Sequence, residues 1–225
     1  MRKKFELVQR VEFIKNACAG KKTLHLGCTN FPYTKESIDN KILLHFDLEK
    51  TASELYGFDF DQEGLDILQD AGGKNLYRAD LEKLDEVPLA ETFDVIIAGE
   101  IIEHLGNPGL FLQGIKRFMN PETRLVITTV NAYSALRFFL YGFRGNGGAK
   151  EPIHPDHVAY YSYQTLSVAL SKENLDVREF YFYDIGSEHR QFNRWFYNFF
   201  NDVCVKFSPQ LGDGVVAVCS LGKDK

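Results

Sequence analysis

Residues 93–108 read FDVIIAGEIIEHLGNP. The first six residues, 93–98, are an almost unbroken apolar run, which fits a strand buried on both faces at the centre of a parallel sheet. Gly99 ends the run, and Glu100, Glu103 and His104 follow, three groups able to move protons or bind a metal. A helical turn here would set all three on one face, because Glu103 and His104 lie three and four residues after Glu100. Side chains just past the carboxyl end of a central strand lie in the crevice where open α/β sheets bind ligands.

Outward from this stretch, strands and helices alternate. Residues 23–26 read as a first strand, followed by Gly27-Cys28-Thr29-Asn30. A glycine there lets the backbone approach a ligand, although an ordinary strand-ending turn explains one glycine equally well. Residues 42–56 can hold a helix, residues 55–60 (LYGFDF) a second strand that carries Asp59, and a helix starts at Glu63. An acid ending the second strand suits the hydroxyls of a ribose. Asp59 lies 32 positions after Gly27, against roughly 20 for a dinucleotide fingerprint. Asp47 sits at the expected distance and is the rival. Asp59 is preferred because its strand leads into a full helix and then a third strand, residues 75–78, which runs into Asp80. Beyond the opening stretch come a helix over residues 110–118 and a strand over residues 124–130. The alternation from residue 20 to residue 130 predicts a doubly wound, mostly parallel sheet in a single domain spanning residues 1–225.

The totals agree with that class. The chain has 225 residues, 44% of them hydrophobic and 25% charged, enough for a substantial core and too apolar for disorder. A net charge of −5 leaves no electrostatic footprint for general nucleic-acid binding. Four widely spaced cysteines without a CxxC pair argue against a zinc site and for a reducing compartment. The basic N-terminus lacks an apolar signal core and no run approaches a membrane span, so the expected location is the cytoplasm. The sequence is silent on oligomeric state.

Three segments flank or interrupt the alternation. Residues 1–20 read as an N-terminal amphipathic region, with a helix over 4–19 carrying Leu7, Val11, Ile14 and Cys18 at helical spacing. Residues 131–163, rich in glycine and aromatics, read equally as a lid or pocket wall and as a surface excursion. They contain His154 and His157. Residues 187–207 carry Phe192, Trp195, Phe196, Phe199 and Phe200 at helical spacing, a stripe better explained by packing than by base stacking. Two strands, residues 177–183 and 214–221, close the chain as a hairpin.

Together the blocks LHLGC (24–28), LYGFDFDQEGLDIL (55–68), LYRADLEKL (76–84), FDVIIAGEIIEHLGNP and RLVITTV (124–130) resemble the class I S-adenosylmethionine-dependent methyltransferases. His25 stands where that family usually has an acid, and Thr29 where it usually has a second glycine. The resemblance implies a seven-stranded Rossmann-like sheet ending in an antiparallel pair. It also implies a cofactor site in which Gly27 meets the methionine part, Asp59 the ribose hydroxyls, and Asp80 with Leu81 the adenine, with Phe60 a further cofactor-binding residue, while Glu100 lies near cofactor and acceptor.

A narrower likeness concerns the ExxEH of ubiquinone-pathway O-methyltransferases and small-RNA 3′-terminal methyltransferases. It implies a divalent ion, Mg²⁺ or Mn²⁺, on Glu100, Glu103, His104 and His157, with His154 as a substitute. The metal-free alternative has His104 or His157 as the base that deprotonates an oxygen acceptor. Methyl transfer to a small or medium-sized acceptor, oxygen preferred, is the function expected. The alternatives are metal-dependent RNA 2′-O-methylation and a catalytically inactive cofactor-binding or regulatory protein, the latter motivated by the altered LHLGCTN loop.

Overall fold

The computed structural model describes residues 5–143, 156–184, 186, 190 and 193–222. His154, Phe192 and most of the glycine cluster lie outside them. The strands are β1 (Leu7–Val8), β2 (Lys22–Leu26), β3 (Glu54–Asp59), β4 (Leu76–Arg78), β5 (Phe93–Gly99), β6 (Met119–Val130), β7 (Leu175–Tyr183) and β8 (Gly214–Leu221). They form one sheet in the order β1-β7-β8-β6-β5-β2-β3-β4. Only β8 runs against its neighbours, antiparallel to both β6 and β7.

The alternation of side chains builds two cores from the same strands. On one face Leu24, Leu26, Phe58, Ile96, Ala98, Leu125 and Ile127 pack with Phe111, Leu112 and Ile115 of α5 (Pro108–Ile115) and with Leu166 and Leu170 of α7 (Tyr163–Lys172). On the other, Val95, Ile97, Val126, Val216 and Val218 pack with Ile14 and Cys18 of α1 (Arg10–Cys18) and Leu48 of α3 (Leu44–Glu49). The apolar run of β5 is thus buried on both faces, as its sequence predicts. Full burial of each such side chain stabilises by about 1.5–3 kcal/mol.

The N-terminal helix is shorter than expected. Leu7 and Val8 are extended and pair in parallel with Phe182 and Tyr183, adding an eighth strand to the seven of the family, and the helix begins only at Arg10. Unpaired backbone groups along β7 supply hydrogen bonds that outweigh one turn of helix; the Phe182 amide donates to the Glu6 carbonyl at 3.0 Å. The expected helix within residues 42–56 is confined to α3, and β3 begins at Glu54.

The aromatic stripe packs only in part: Phe196 and Phe200 are half-buried, and Phe200 meets the Phe139 ring with centroids 4.8 Å apart. The helix α8 (Trp195–Phe207) buries Asn201 and Val205, whereas Trp195 and Phe199 are 79% and 64% exposed. Asn201 donates to the Asp184 carboxylate at 2.7 Å, and that bond between buried polar groups fixes which face points inward.

Candidate active site

Because β2 to β6 are parallel, Gly27, Asp59, Asp80, Glu100 and Asn131 emerge at one edge of the sheet. Gly27 has φ +69°, and a Cβ there would fall 2.4 Å from Cδ1 of Ile101, so only glycine fits. Leu26 pairs with Ala98, which places Gly27 beside Gly99. Phe60 is 63% exposed at this edge, and Leu81 is buried.

Asp59 is already engaged. Its Oδ2 accepts from both the amide and the hydroxyl of Thr29, each at 2.9 Å, and its Oδ1 accepts from the Asp61 amide at 3.0 Å. Asp80 accepts from the Glu82 amide at 3.0 Å, with the Lys83 ammonium 3.6 Å away. The rival Asp47 sits instead on α3, ion-paired with Lys50 and Lys15.

After Gly99 the chain turns rather than entering a helix. Glu100 has φ +55°, a conformation that does not continue into an α-helix, and α5 starts only at Pro108, with Asn107 as its cap. Glu100 therefore separates from the other three expected metal ligands. The Oε1 of Glu100 accepts from Thr128 Oγ1 at 3.0 Å and from the Tyr183 hydroxyl at 2.8 Å. Burial and the Glu100 carboxylate both push the Tyr183 hydroxyl pKa well above its ordinary value.

Glu103, His104 and His157 remain together: one ligand atom from each lies within 4.8 Å of the others. Residues 157–161 reach this place because Tyr161 bridges to Asn131 and the Val158 amide donates to the Glu103 carbonyl at 2.8 Å. The two imidazole rings meet edge to face, centroids 4.6 Å apart. Glu103 is fully buried; its Oε2 accepts from Thr129 at 2.8 Å and, among the described residues, its Oε1 has no hydrogen-bond partner. Burial first, then the Glu100 carboxylate, raise its pKa to about 8.

Sequence reasoning missed two features here. Tyr183 gives no sign in sequence that it reaches Glu100 across the sheet. His25, at the position of the family's acid, is buried against His45, Nδ1 to Nδ1 3.2 Å, with the rings stacked. One Nδ1 must donate and the other accept, so the two rings cannot both be protonated while this bond is kept. Burial lowers both pKa values; His45 and Arg10 add to the effect on His25, and His45 falls to about 4.

A family model described as a methyltransferase domain matches residues 39–179, more than half of the chain. No curated protein matches. Among solved structures, an S-adenosylmethionine-dependent methyltransferase from Mesorhizobium loti is similar at 14% identity and TM-score 0.56, covering 94% of this chain and 95% of that one. Magnesium protoporphyrin IX methyltransferase from Synechocystis PCC 6803, with bound SAH, is similar at 10% identity and TM-score 0.60, covering 95% and 82%. The [4+2]-cyclase SpnF is similar at 13% identity and TM-score 0.58, covering 96% and 80%. At such identities these structures speak for the fold. S-adenosylmethionine is the cofactor expected for the matched family, and the glycine that only just fits, the carboxylates at two strand ends and the exposed Phe60 suit a nucleoside with an amino-acid tail. Among the described residues no helix is long and apolar enough to cross a membrane. With its sheet, its strand-end glycine and acids and the matched residues taken together, the chain belongs to the class I S-adenosylmethionine-dependent methyltransferases.

Proposed function

We propose that the chain transfers a methyl group to the oxygen of a small or medium-sized acceptor, with His104 as the general base and His157 orienting it. The observation that supports this most is the edge-to-face contact of the two imidazoles beside buried Glu103 at the carboxyl edge of β5. When bound, the cofactor supplies an electrophilic methyl on its sulfonium. The protein's part is to hold the acceptor in line with that methyl and to take the hydroxyl proton onto an imidazole nitrogen. Asp59 and Phe60 would receive the ribose, and Asp80 with Leu81 the adenine. The net charge of −5 supports a small molecule over RNA, and four free cysteines suit a cytoplasmic setting.

A second reading has specific support. Two imidazoles and a carboxylate whose Oε1, among the described residues, lacks a hydrogen-bond partner form a donor set suited to a divalent ion, which would lower the pKa of an acceptor hydroxyl. In this reading Glu100, held by Thr128 and Tyr183, is not a ligand. Methyl-group incorporation from labelled S-adenosylmethionine into a panel of phenols and hydroxy acids tests the primary reading. His104→Asn should lower kcat by about 100-fold or more while cofactor affinity stays constant. Unchanged turnover in that variant would remove His104 as base.

A further inference from the structure

Four side chains on the outer face of α8 take no part in either core. Trp195, Phe199, Val203 and Phe207 are spaced four residues apart and all are exposed, Phe207 at 88%. Steps of four residues advance about 40° around a helix, so the four side chains form one band about 120° wide. The opposite face is spoken for by Asn201 and Val205, which are buried. A further exposed ring, Phe138, stands at the end of α6 (Ala135–Phe138), which packs on α8. A contiguous apolar face of this kind marks an interaction surface.

The charges around the band decide what covers it. Arg194 stands immediately before α8 and Lys206 in its last turn. Both are exposed, and among the described residues no carboxylate oxygen lies within 4.0 Å of their side-chain nitrogens. The sole acid of the helix, Asp202, is already paired with Arg190. A two-fold pairing of this face with a second copy sets cation against cation: Arg194 against Lys206 when the helices run antiparallel, and each against itself when they run parallel. The complementary surface must therefore be apolar and bring negative charge of its own. A bilayer with anionic headgroups has both properties, and a helix with Trp and Phe on one face and cations beside them has the composition of an interfacial helix. The 13 residues of α8 are too few to cross a bilayer, which takes about 20, so the helix would lie on it.

We infer that the outer face of α8 docks on the surface of an anionic lipid bilayer, with its rings at the acyl-chain boundary and Arg194 and Lys206 among the headgroups. The helix joins β7 to β8, whose ends Tyr183 and Gly214 are register partners, and Gly214 also pairs with Val130 at the end of β6. Docking through α8 thus brings the carboxyl edge of the sheet, which carries Gly27, Asp59 and Glu100, close to the membrane surface. The docking face rests on α8 and its charges alone and does not depend on methyl transfer.

Trp195 is the chain's single tryptophan, so its fluorescence reports on this face alone. With vesicles of phosphatidylcholine and phosphatidylglycerol in equal parts, the emission of the full chain should shift to the blue and the protein should sediment with the vesicles. Phe199→Ser combined with Phe207→Ser should lower vesicle partitioning by about tenfold or more. Arg194→Gln combined with Lys206→Gln should also lower it by about tenfold or more, as should vesicles of phosphatidylcholine alone. All four substituted side chains are exposed, so the urea midpoints of both variants should match the wild type and separate lost docking from lost folding. Absence of both the blue shift and sedimentation would overturn the inference, as would undiminished partitioning of the Phe199→Ser, Phe207→Ser variant. A blue shift that needs no vesicles and grows with protein concentration would assign the face to a second copy and overturn lipid docking.

Discussion

Thr29 donates both its amide and its hydroxyl hydrogen to one oxygen of Asp59, Oδ2, each at 2.9 Å. Most of the strand-end acid's acceptor capacity is thereby spent on the loop that follows β2. A ribose would have to share Asp59 with Thr29, or displace the hydroxyl.

That competition can be measured. Thr29→Ala keeps the amide bond and removes the hydroxyl, so it should cost about 1 kcal/mol of stability yet tighten S-adenosylhomocysteine binding by about threefold to tenfold. Weaker binding in this variant, by calorimetry, would mean that the hydroxyl serves the ligand rather than competing with it.

The His25–His45 pair makes stability depend on acid. Both folded-state pKa values lie below the unfolded value of 6.5, so the unfolded chain binds protons first as pH falls. The stabilisation is therefore complete above pH 6.5 and is lost on acidification toward pH 4, the value near which His45 itself titrates. Each differential proton changes stability by about 1.4 kcal/mol per pH unit. Urea unfolding from pH 7 to pH 4 should show this slope, and the double substitution His25→Leu, His45→Phe should flatten it. An identical slope in both proteins would sink the explanation.

Gly57 of β3 is confined by packing, not by φ. A Cβ there would lie 2.8 Å from Cys28 Sγ, 2.8 Å from Leu76 Cδ2 and 2.9 Å from His45 Cε1. Gly57→Ala should destabilise by about 1–3 kcal/mol through overpacking, visible as a lower urea midpoint. An unchanged midpoint would show that the His45 ring yields at little cost.

The two readings of the Glu103–His104–His157 cluster separate under chelation. The base reading predicts that EDTA leaves turnover unchanged. The metal reading predicts a loss restored by Mn²⁺, and no restoration in Glu103→Gln.

The sheet was legible wherever one strand face or both had to be apolar. The β5 run, the alternation over residues 20–130 and the closing antiparallel pair all follow from that requirement. What the sequence hid depends on contacts between distant segments. Leu7 and Val8 have helical spacing, but an open edge of β7 claims them. Glu100, Glu103 and His104 have helical spacing as well, and with a positive φ at Glu100 its side chain goes to Thr128 and Tyr183 while Glu103 and His104 stay together beside His157. Trp195 and Phe199 of the stripe on α8 face outward while Asn201 turns inward to bond Asp184, a pairing that apolar periodicity cannot show. That Gly27, Asp59 and Asp80 stand at strand ends on one edge of the sheet could be read from position alone. The contact of His157 with His104 needed the bridge between Tyr161 and Asn131 to bring it about.

The most direct test of the account is a calorimetric titration of the chain with S-adenosylmethionine, with Asp59→Ala as its partner experiment. The account predicts micromolar binding that weakens about tenfold or more in the variant, on the order of 1.4 kcal/mol. Binding unaffected by Asp59→Ala would contradict the placement of the ribose, and no binding to the wild-type chain would contradict the cofactor site as a whole.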